Sequence, residues 1–521
     1  MQDKIISNLF ASIPVKTSGI IPDTAVRGVT QDSRDVKSGY LFVAVPGGKT
    51  DGHLFISSAI QNGASAVVGS REIEGLEIPY IKVEDSRMAL AHLSAAFYDF
   101  PARSLLMLGV TGTDGKTTTA NLIFNILEAA GLPVGMVSTV NAIIGDKKLD
   151  TGFHVTTPDA AHIQYFLSKM RDAGLTHVIL ETTSHGLAQQ RVTACDFDIG
   201  VVTNIAHEHL DYHGTYEAYR GAKSKLFTGL ESSHRKDFDP PRGAVLNRDD
   251  RSFEYLSKNT KVPQISYGIG GGADVSAVNI SESSEGISFI AQGQNLEGGE
   301  FSIPLFTPLL GFYNISNVLA ATAAAKGILG LRKTAIQKGI KKLELIPGRM
   351  EKIEMGQDFL AIVDFAHTPN ALKNALDAGG RFVEGNVIAI FGSAGLRDKR
   401  KRRMMAEISA DLADFTVLTA EDPRTESLEK ILDEMAQGMA AKGGVEGKTF
   451  WRIQDRGEAI RFGVKLAKPG DLVIACGKGH EQSMCFGEIE YPWDDRTAMR
   501  AALSEYLQLP GPDMPFLPKQ K

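Results

Sequence analysis

Cysteine is scarce: Cys195, Cys476 and Cys485 are the only three in 521 residues. Their spacing makes neither a disulfide framework nor a thiolate metal site, and a reducing cytoplasm suits them. Long apolar runs are missing too; none approaches the ~18 residues of a membrane-spanning helix. The opening MQDKIISNLF lacks the charged, apolar, small-residue order of a secretory signal. Nor is there an excess of basic charge. With 56 Lys and Arg against 62 Asp and Glu the net charge is −6, which argues against general nucleic-acid binding but leaves room for local basic phosphate pockets. No repeat of roughly 20–50 residues is evident. A hydrophobic fraction of 43% with 23% charged residues is that of a cytoplasmic globular protein. Its length calls for about two to four domains.

The stretch that carries most information is VTGTDGKTTTA, residues 110–120. An apolar run from Leu105 to Val110 predicts a buried strand, and a helical pattern runs from Thr119 to Ala130. Between them Gly112, Thr113, Asp114, Gly115, Lys116, Thr117 and Thr118 form a Gly-Thr-rich turn. Backbone amides of such a turn point at a phosphate chain, and the following helix adds its positive end. Lys116 would reach the outer phosphates and Thr117 would hold Mg²⁺. Val110 stands where a strict phosphate-loop pattern has its first glycine, so Gly112 and Gly115 carry the turn.

Taken in order, the chain predicts three α/β domains. Residues 1–104 form a small N-terminal one, with Asp32-Ser33-Arg34 in a loop and a helix over 85–99 ended by Phe100-Pro101. Residues 105–346 hold the phosphate loop in a P-loop-type domain with a mainly parallel sheet. Its strands THVILETTSHG and DIGVVTNIAHEHLDYHG run into polar loops at their carboxyl ends, where open parallel sheets bind ligands. These loops bring Glu181, Ser184, His185, Asn204, His207, Glu208, His209, Asp211 and His213 to one rim. Magnesium suits such a rim better than zinc, because no cysteine assists and the histidines alternate. Residues 231–300 predict an antiparallel appendage on the sheet, and 311–330 an alanine-rich helix with Asn314 at its start. Ile346-Pro347-Gly348 marks the second boundary. Residues 347–521 then alternate strands and helices as a Rossmann-like domain, with the basic run RDKRKRR as a solvated helix start.

TGTDGKTTT, HVTTPD, TNIAHEHLDYHG, AKSKLF, GFYNISN, GRME, VDFAHTPNAL, GSAGLRDKRKRRMMA, EDPRTE and GKGHE follow one another in the order of the Mur ligase motifs. The chain resembles that family over nearly its whole length, and most of all the members that add a diamino acid to UDP-N-acetylmuramoyl-L-Ala-D-Glu in peptidoglycan precursor synthesis. The resemblance implies ATP-dependent, ADP-forming amide synthesis through an acyl phosphate, with Mg²⁺. The first domain would bind the UDP end of the substrate, the second ATP and the third the incoming amino acid. It implies that Lys116 holds phosphates and that Thr117 and Glu181 hold one magnesium. His209 would hold a second, supported by Lys223 as a carbamate. Asn314 would contact adenine, Asp364 ribose and Arg349 phosphate. Ser33 would meet uridine, and Thr156, Thr157, Thr183, Gln189 and Arg191 the muramoyl peptide. Arg397, Glu421, Asp422, Pro423, Arg424, Gly477 and Glu481 would form the amino-acid pocket.

Four departures from the family pattern bear on this. Asp114 stands for the usual Asn and would repel ATP phosphates unless it faces magnesium water or caps the helix. Glu208 stands for Asp, and Thr182-Thr183 for two serines. In the amino-acid pocket Glu421-Asp422-Pro423-Arg424 replaces Asp-Asn-Pro-Arg. Arg424 favours a distal carboxylate, as in meso-diaminopimelate. Asp422 could repel that carboxylate, pair with Arg424, or meet the ammonium of L-lysine or L-ornithine, so all three amino acids stay open. A folylpolyglutamate-type ligase shares the ATP half but lacks the first small domain. An ATP-binding regulator without chemistry is disfavoured by retention of Lys116, Glu181, His209 and Lys223.

Overall fold

The computed structural model describes residues 3–18, 20–47, 50–139, 141–149, 157–206, 208–283 and 285–518. Three sheets organise them. The first has five strands in the order Thr17–Ser18, Tyr80–Val83, Ala64–Gly69, Tyr40–Ala44, Gly28–Thr30, parallel except for the outer Thr17–Ser18. Helix Ser86–Phe97 packs on it, capped by the Asp85 carboxylate, which accepts from the Arg87 and Met88 amides. The chain then turns at Asp99 and Phe100, both left-handed, as Pro101 begins a short 3₁₀ turn.

The second sheet has eleven strands, with Leu106–Thr111 between His177–Glu181 and Ile199–Val202. All six residues of Leu106–Thr111 are buried, as expected of a parallel strand covered on both faces. Alternate side chains enter opposite cores: Leu106, Leu108 and Val110 join one, and Met107 the other. Pairing is parallel from Val134–Val137 across to Val275–Ser283, which puts the carboxyl ends of the central strands on one rim. Beyond it Gly286–Gln294 and Glu300–Thr307 are antiparallel. The expected antiparallel appendage is present in the second part of residues 231–300, where Val275–Ser283 pairs with Gly286–Gln294, and it runs on to Thr307, whereas Gly243–Asn247 and Gln264–Gly268 are parallel members of the main sheet. Their short apolar runs are buried on the sheet, so period-two alternation is lost there. The alanine-rich helix also differs, with an α part Tyr313–Thr322 followed by a π-helical part Ala323–Ile328.

The third sheet orders Glu351–Lys352, Leu360–Asp364, Leu472–Cys476, Val387–Phe391, Phe415–Leu418 and Phe450–Arg452, with all but the first parallel. The strand order reverses direction beside Leu472–Cys476, a topological switch point whose crevice takes ligands. Among the described residues no helix is long and apolar enough to cross a membrane.

Candidate active site

The turn after Leu106–Thr111 is locked by its neighbours. Gly112 has φ 152°, and a Cβ there would lie 1.8 Å from Thr203 Oγ1. Gly115, at φ 80°, takes the corner itself, so the helix starts at once and runs Lys116–Ala129, three residues earlier than its apolar period suggested. The Thr113 amide donates to Asn204 O (2.7 Å) and the Asp114 amide to Asn204 Oδ1 (3.0 Å). Thr113 Oγ1 meets the Tyr219 hydroxyl at 2.9 Å.

Two lysines converge on this turn. Lys116 Nζ donates to Gly112 O (3.1 Å) and Thr113 O (2.8 Å), and Lys223 Nζ donates to Gly112 O (2.6 Å). Lys223 is 1% exposed, far from an ordinary surface lysine. Burial lowers the pKa of both, that of Lys223 well below the usual lysine value, with Lys116 adding repulsion. A neutral amine is the form that takes up CO₂ to make a carbamate.

Glu181 ends its strand fully buried beside the same loop. Its Oε2 accepts from Thr139 (2.8 Å) and Thr117 (3.2 Å), while Oε1 has no partner among the described residues. Burial raises its pKa. One orphaned carboxylate oxygen and two hydroxyls fit Mg²⁺, which takes oxygen ligands and leaves positions to phosphate and water. His209 and Lys223 lie on the other side, by the Tyr219 ring. Among the described residues no group of three or more His, Cys, Asp or Glu could hold a metal by itself. Burial holds the His209 imidazole down at about 4, so it is neutral near pH 7.

The phosphate loop opens into a cavity of about 660 Å³ between the second and third sheets. Asn314, Arg349 and Asp364 line it, so the structure gathers these residues with the loop. Asn314 is buried, donating to Leu310 O (2.7 Å) and accepting from Asn317 (2.8 Å). Arg349 reaches across the interface to Thr117 Oγ1 (3.3 Å), and its buried Nε has no partner among the described residues. Asp364 accepts from the Met350 amide (2.6 Å) and the Ala366 amide (2.8 Å), while burial raises its pKa. Asp114 neither caps the helix nor faces the turn's own amides. Its carboxylate is met by Thr368 Oγ1 (3.4 Å) and Asn370 Nδ2 (3.1 Å) of the third domain.

A second cavity of about 140 Å³ adjoins the first, and Glu208, His209, Phe365, His367 and Glu481 line both. Arg397, Glu421, Asp422, Arg424 and Gly477 complete its wall as the motifs implied. Pro423 is not among its lining residues. Arg424 Nε and Glu421 Oε2 are buried without partners among the described residues. Asp422 does not pair with Arg424: its Oδ1 accepts from Lys478 Nζ (3.0 Å) and the Cys485 amide (2.9 Å). The basic run is not simply solvated either. Arg402 is fully buried between Glu426 and Glu434, and Lys401 lines this cavity with Nζ on His367 O (3.1 Å). Glu208 holds well below the usual carboxylate range, because His209, His367 and Lys401 outweigh its burial.

Gln189 and Arg191 line a third, smaller cavity of about 60 Å³ with Gln31 and Arg87 of the first domain. Arg191 Nη1 donates to Thr157 O (2.6 Å), and Thr157 Oγ1 meets Thr183 Oγ1 (3.1 Å). Ser33 sits instead in a 3₁₀ turn, Ser33–Asp35, outside that lining. Thr156 and His207 lie outside the described residues. Sequence reasoning passed over Thr139, Asn317, His367, Lys401 and Lys478. Several sit inside the quoted motifs, but only the fold shows which way they face.

Residues 110–325 match the Mur ligase middle domain, 348–479 the Mur ligase glutamate ligase domain, and 25–98 the Mur ligase family catalytic domain. The UDP-N-acetylmuramoyl-L-alanyl-D-glutamate–2,6-diaminopimelate ligase of Geobacillus thermodenitrificans is 40% identical over 474 residues, 91% of this chain and 94% of that one. This chain belongs to the Mur ligase family. The ligase of the same name from Bacillus velezensis is 38% identical, over 96% of this chain and 98% of its own. A solved structure of such a ligase superposes with TM-score 0.64 at 31% identity, covering 97% of this chain and 100% of that one. As a Mur ligase the chain is an enzyme that forms a peptide bond.

Proposed function

We propose that this Mur ligase joins diaminopimelate to UDP-N-acetylmuramoyl-L-Ala-D-Glu at the cost of ATP. The observation that carries the reading is the junction of the two cavities: one wall serves both the phosphate-loop cavity and an arginine-lined cavity sized for an amino acid. A ligase of this kind must bring two anions, ATP and a substrate carboxylate, to one point with the amino acid, which takes preorganised cations and amides. The relatives' shared name supplies the substrates.

In this reading ATP occupies the larger cavity, with Lys116 and Arg349 on its phosphates and Asn314 and Asp364 toward the nucleoside. Thr117 and Glu181 hold Mg²⁺, which when bound neutralises phosphate charge. A substrate carboxylate oxygen attacks the γ-phosphorus, and the bond to ADP breaks. The amino-acid nitrogen then attacks the acyl carbon, phosphate leaves, and the nitrogen gives up a proton. Arg397 and Arg424 face the distal carboxylate of the incoming amino acid. Gln189, Arg191, Thr157 and Thr183 take the muramoyl peptide, and residues 1–104 the UDP end. Residues 105–346 and 347–521 divide the ATP and amino-acid work between them.

Phosphate release tests the reading. It is expected to require ATP, the UDP-muramoyl dipeptide and a diamino acid together, with meso-diaminopimelate preferred to L-lysine and L-ornithine. Release with ATP alone, or equal use of neutral amino acids, would sink it.

A further inference from the structure

We infer that Lys478 sets the specificity of the amino-acid cavity by cancelling the charge of Asp422, so that Arg424 meets a distal carboxylate uncontested. This rests on the reading of that cavity as the diaminopimelate site. Asp422 and Arg424 are both left-handed, at φ 43° and 55°, and both line the cavity. Strand Ser483–Phe486 clamps the pair: Cys485 N donates to Asp422 Oδ1 (2.9 Å), and Arg424 N donates to Cys485 O (3.0 Å). The loop thus presents an acid and a base together, and something must keep them from satisfying each other.

Lys478 does so. It is 1% exposed, and its ammonium bridges Asp422 and Glu481. Burial alone would depress a lysine here, but the two carboxylates carry its pKa above the ordinary value, so it stays charged. With Asp422 engaged by Lys478 and an amide, its charge does not face the substrate alone. Arg424 keeps a buried Nε without an acceptor among the described residues, the state expected of a group that awaits a carboxylate. An acid at position 422 then differs little from the amide the family pattern has there. Lys478 is a positioning residue: it acts through Asp422, not on the reacting atoms.

The test measures kcat/KM for meso-diaminopimelate and for L-lysine in the full-length enzyme. Lys478→Met is expected to lower the ratio of the two by about tenfold or more, the size of one charge-assisted pair, through KM for meso-diaminopimelate. Asp422→Asn in that background should recover at least about threefold of the ratio, Glu481 remaining uncancelled. Asp422→Asn alone should move the ratio by less than about threefold, since the charge is already cancelled. Equal losses for both substrates in Lys478→Met, no recovery in the double variant, or a tenfold rise in Asp422→Asn alone would each overturn the inference. If Lys478→Met does not fold, the Asp422→Asn result decides. Wild-type enzyme that turns over no diamino acid would instead overturn the reading of the cavity, and the inference with it.

Discussion

Lys223 and Lys478 are buried beside the two cavities and Lys116 is half-buried there, and the two sides balance them in opposite ways. On the phosphate side Lys116 and Lys223 donate, among the described residues, to backbone carbonyls, and burial lowers both pKa values. On the amino-acid side Lys478 lies between two carboxylates and its pKa is raised. The arginines divide likewise. Arg456 is paired by Asp495 (2.7 and 2.6 Å), and Arg402 is balanced by Glu426 and Glu434 through its Nη atoms although its Nε lacks a partner among the described residues; Arg349 and Arg424 each keep a buried Nε without a partner among the described residues and no carboxylate within salt-bridge distance among them. A buried cation left unbalanced costs free energy. It is found here where the proposed reaction brings an anion, and the balanced ones hold the walls.

The comparison breaks most severely at Lys116. Lys116→Ala should lower kcat by about a hundredfold or more, because one preorganised charge at a transferring phosphoryl group is worth ~3 kcal/mol. Its melting temperature should stay near that of the wild type, since no carboxylate is left unpaired. Near-normal turnover in the folded variant would remove Lys116 from the phosphate site.

Lys223 comes next. Lys223→Ala should fold and be almost inactive, with acetate or formate restoring part of the rate. The amine is the reactive form toward CO₂, and its lowered pKa leaves more of it neutral at pH 7 than an exposed lysine would have. Lys223→Arg keeps a cation but cannot form a carbamate, so full activity in that variant excludes the modification.

Saturated cations should behave in the reverse manner. Arg456→Met strands the fully buried Asp495. It should cost about 3–5 kcal/mol of stability, read as a lower melting temperature. Arg424→Ala should leave the melting temperature almost unchanged. It should cost meso-diaminopimelate about 1.5–3 kcal/mol in kcat/KM, the worth of a hydrogen bond to a charged group, and L-lysine far less. Equal losses for the two substrates would show that Arg424 reads no carboxylate.

How much of this was legible without coordinates follows the same division. Strand Leu106–Thr111 and helix Ser86–Phe97 were legible because apolar period, Asp85 cap and Phe100-Pro101 break are local signals. Most residues that the motifs implied for ATP and the amino acid line the two larger cavities; Gly112, Glu181, Lys223 and Pro423 are not among the lining residues. What stayed hidden was direction and partnership. Nothing near position 223 in the chain shows that its ammonium reaches Gly112 O, 111 residues away. Asp422 offered three possible roles by charge alone, and the partner it takes, Lys478, was in none of them and is 56 residues distant. Arg402, inside a basic run that reads as solvated, is buried because Glu426 and Glu434 meet it from a loop and a neighbouring helix.

The smallest effect is expected at Asp114, the residue that looked most damaging. Had its carboxylate faced the phosphates, Asp114→Asn would tighten ATP binding by about tenfold, the scale of one short-range charge repulsion at intermediate dielectric. In the structure Asp114 stays on the cavity wall, but its carboxylate is engaged by Thr368 Oγ1 and Asn370 Nδ2 at the start of helix Pro369–Gly380. Thr368 caps that helix, accepting from the Ala371 amide (3.1 Å), and a carboxylate beside a helix N-terminus is favoured by about 0.3–1 kcal/mol. Asp114 therefore links the phosphate loop to the third domain. Asp114→Asn should change KM for ATP by less than about threefold, because the lost helix-end interaction is all that is removed. What it should loosen is the contact between the two domains, seen as a slightly larger radius of gyration in solution scattering without nucleotide. A tenfold fall in KM for ATP with unchanged scattering would put the carboxylate back among the phosphates.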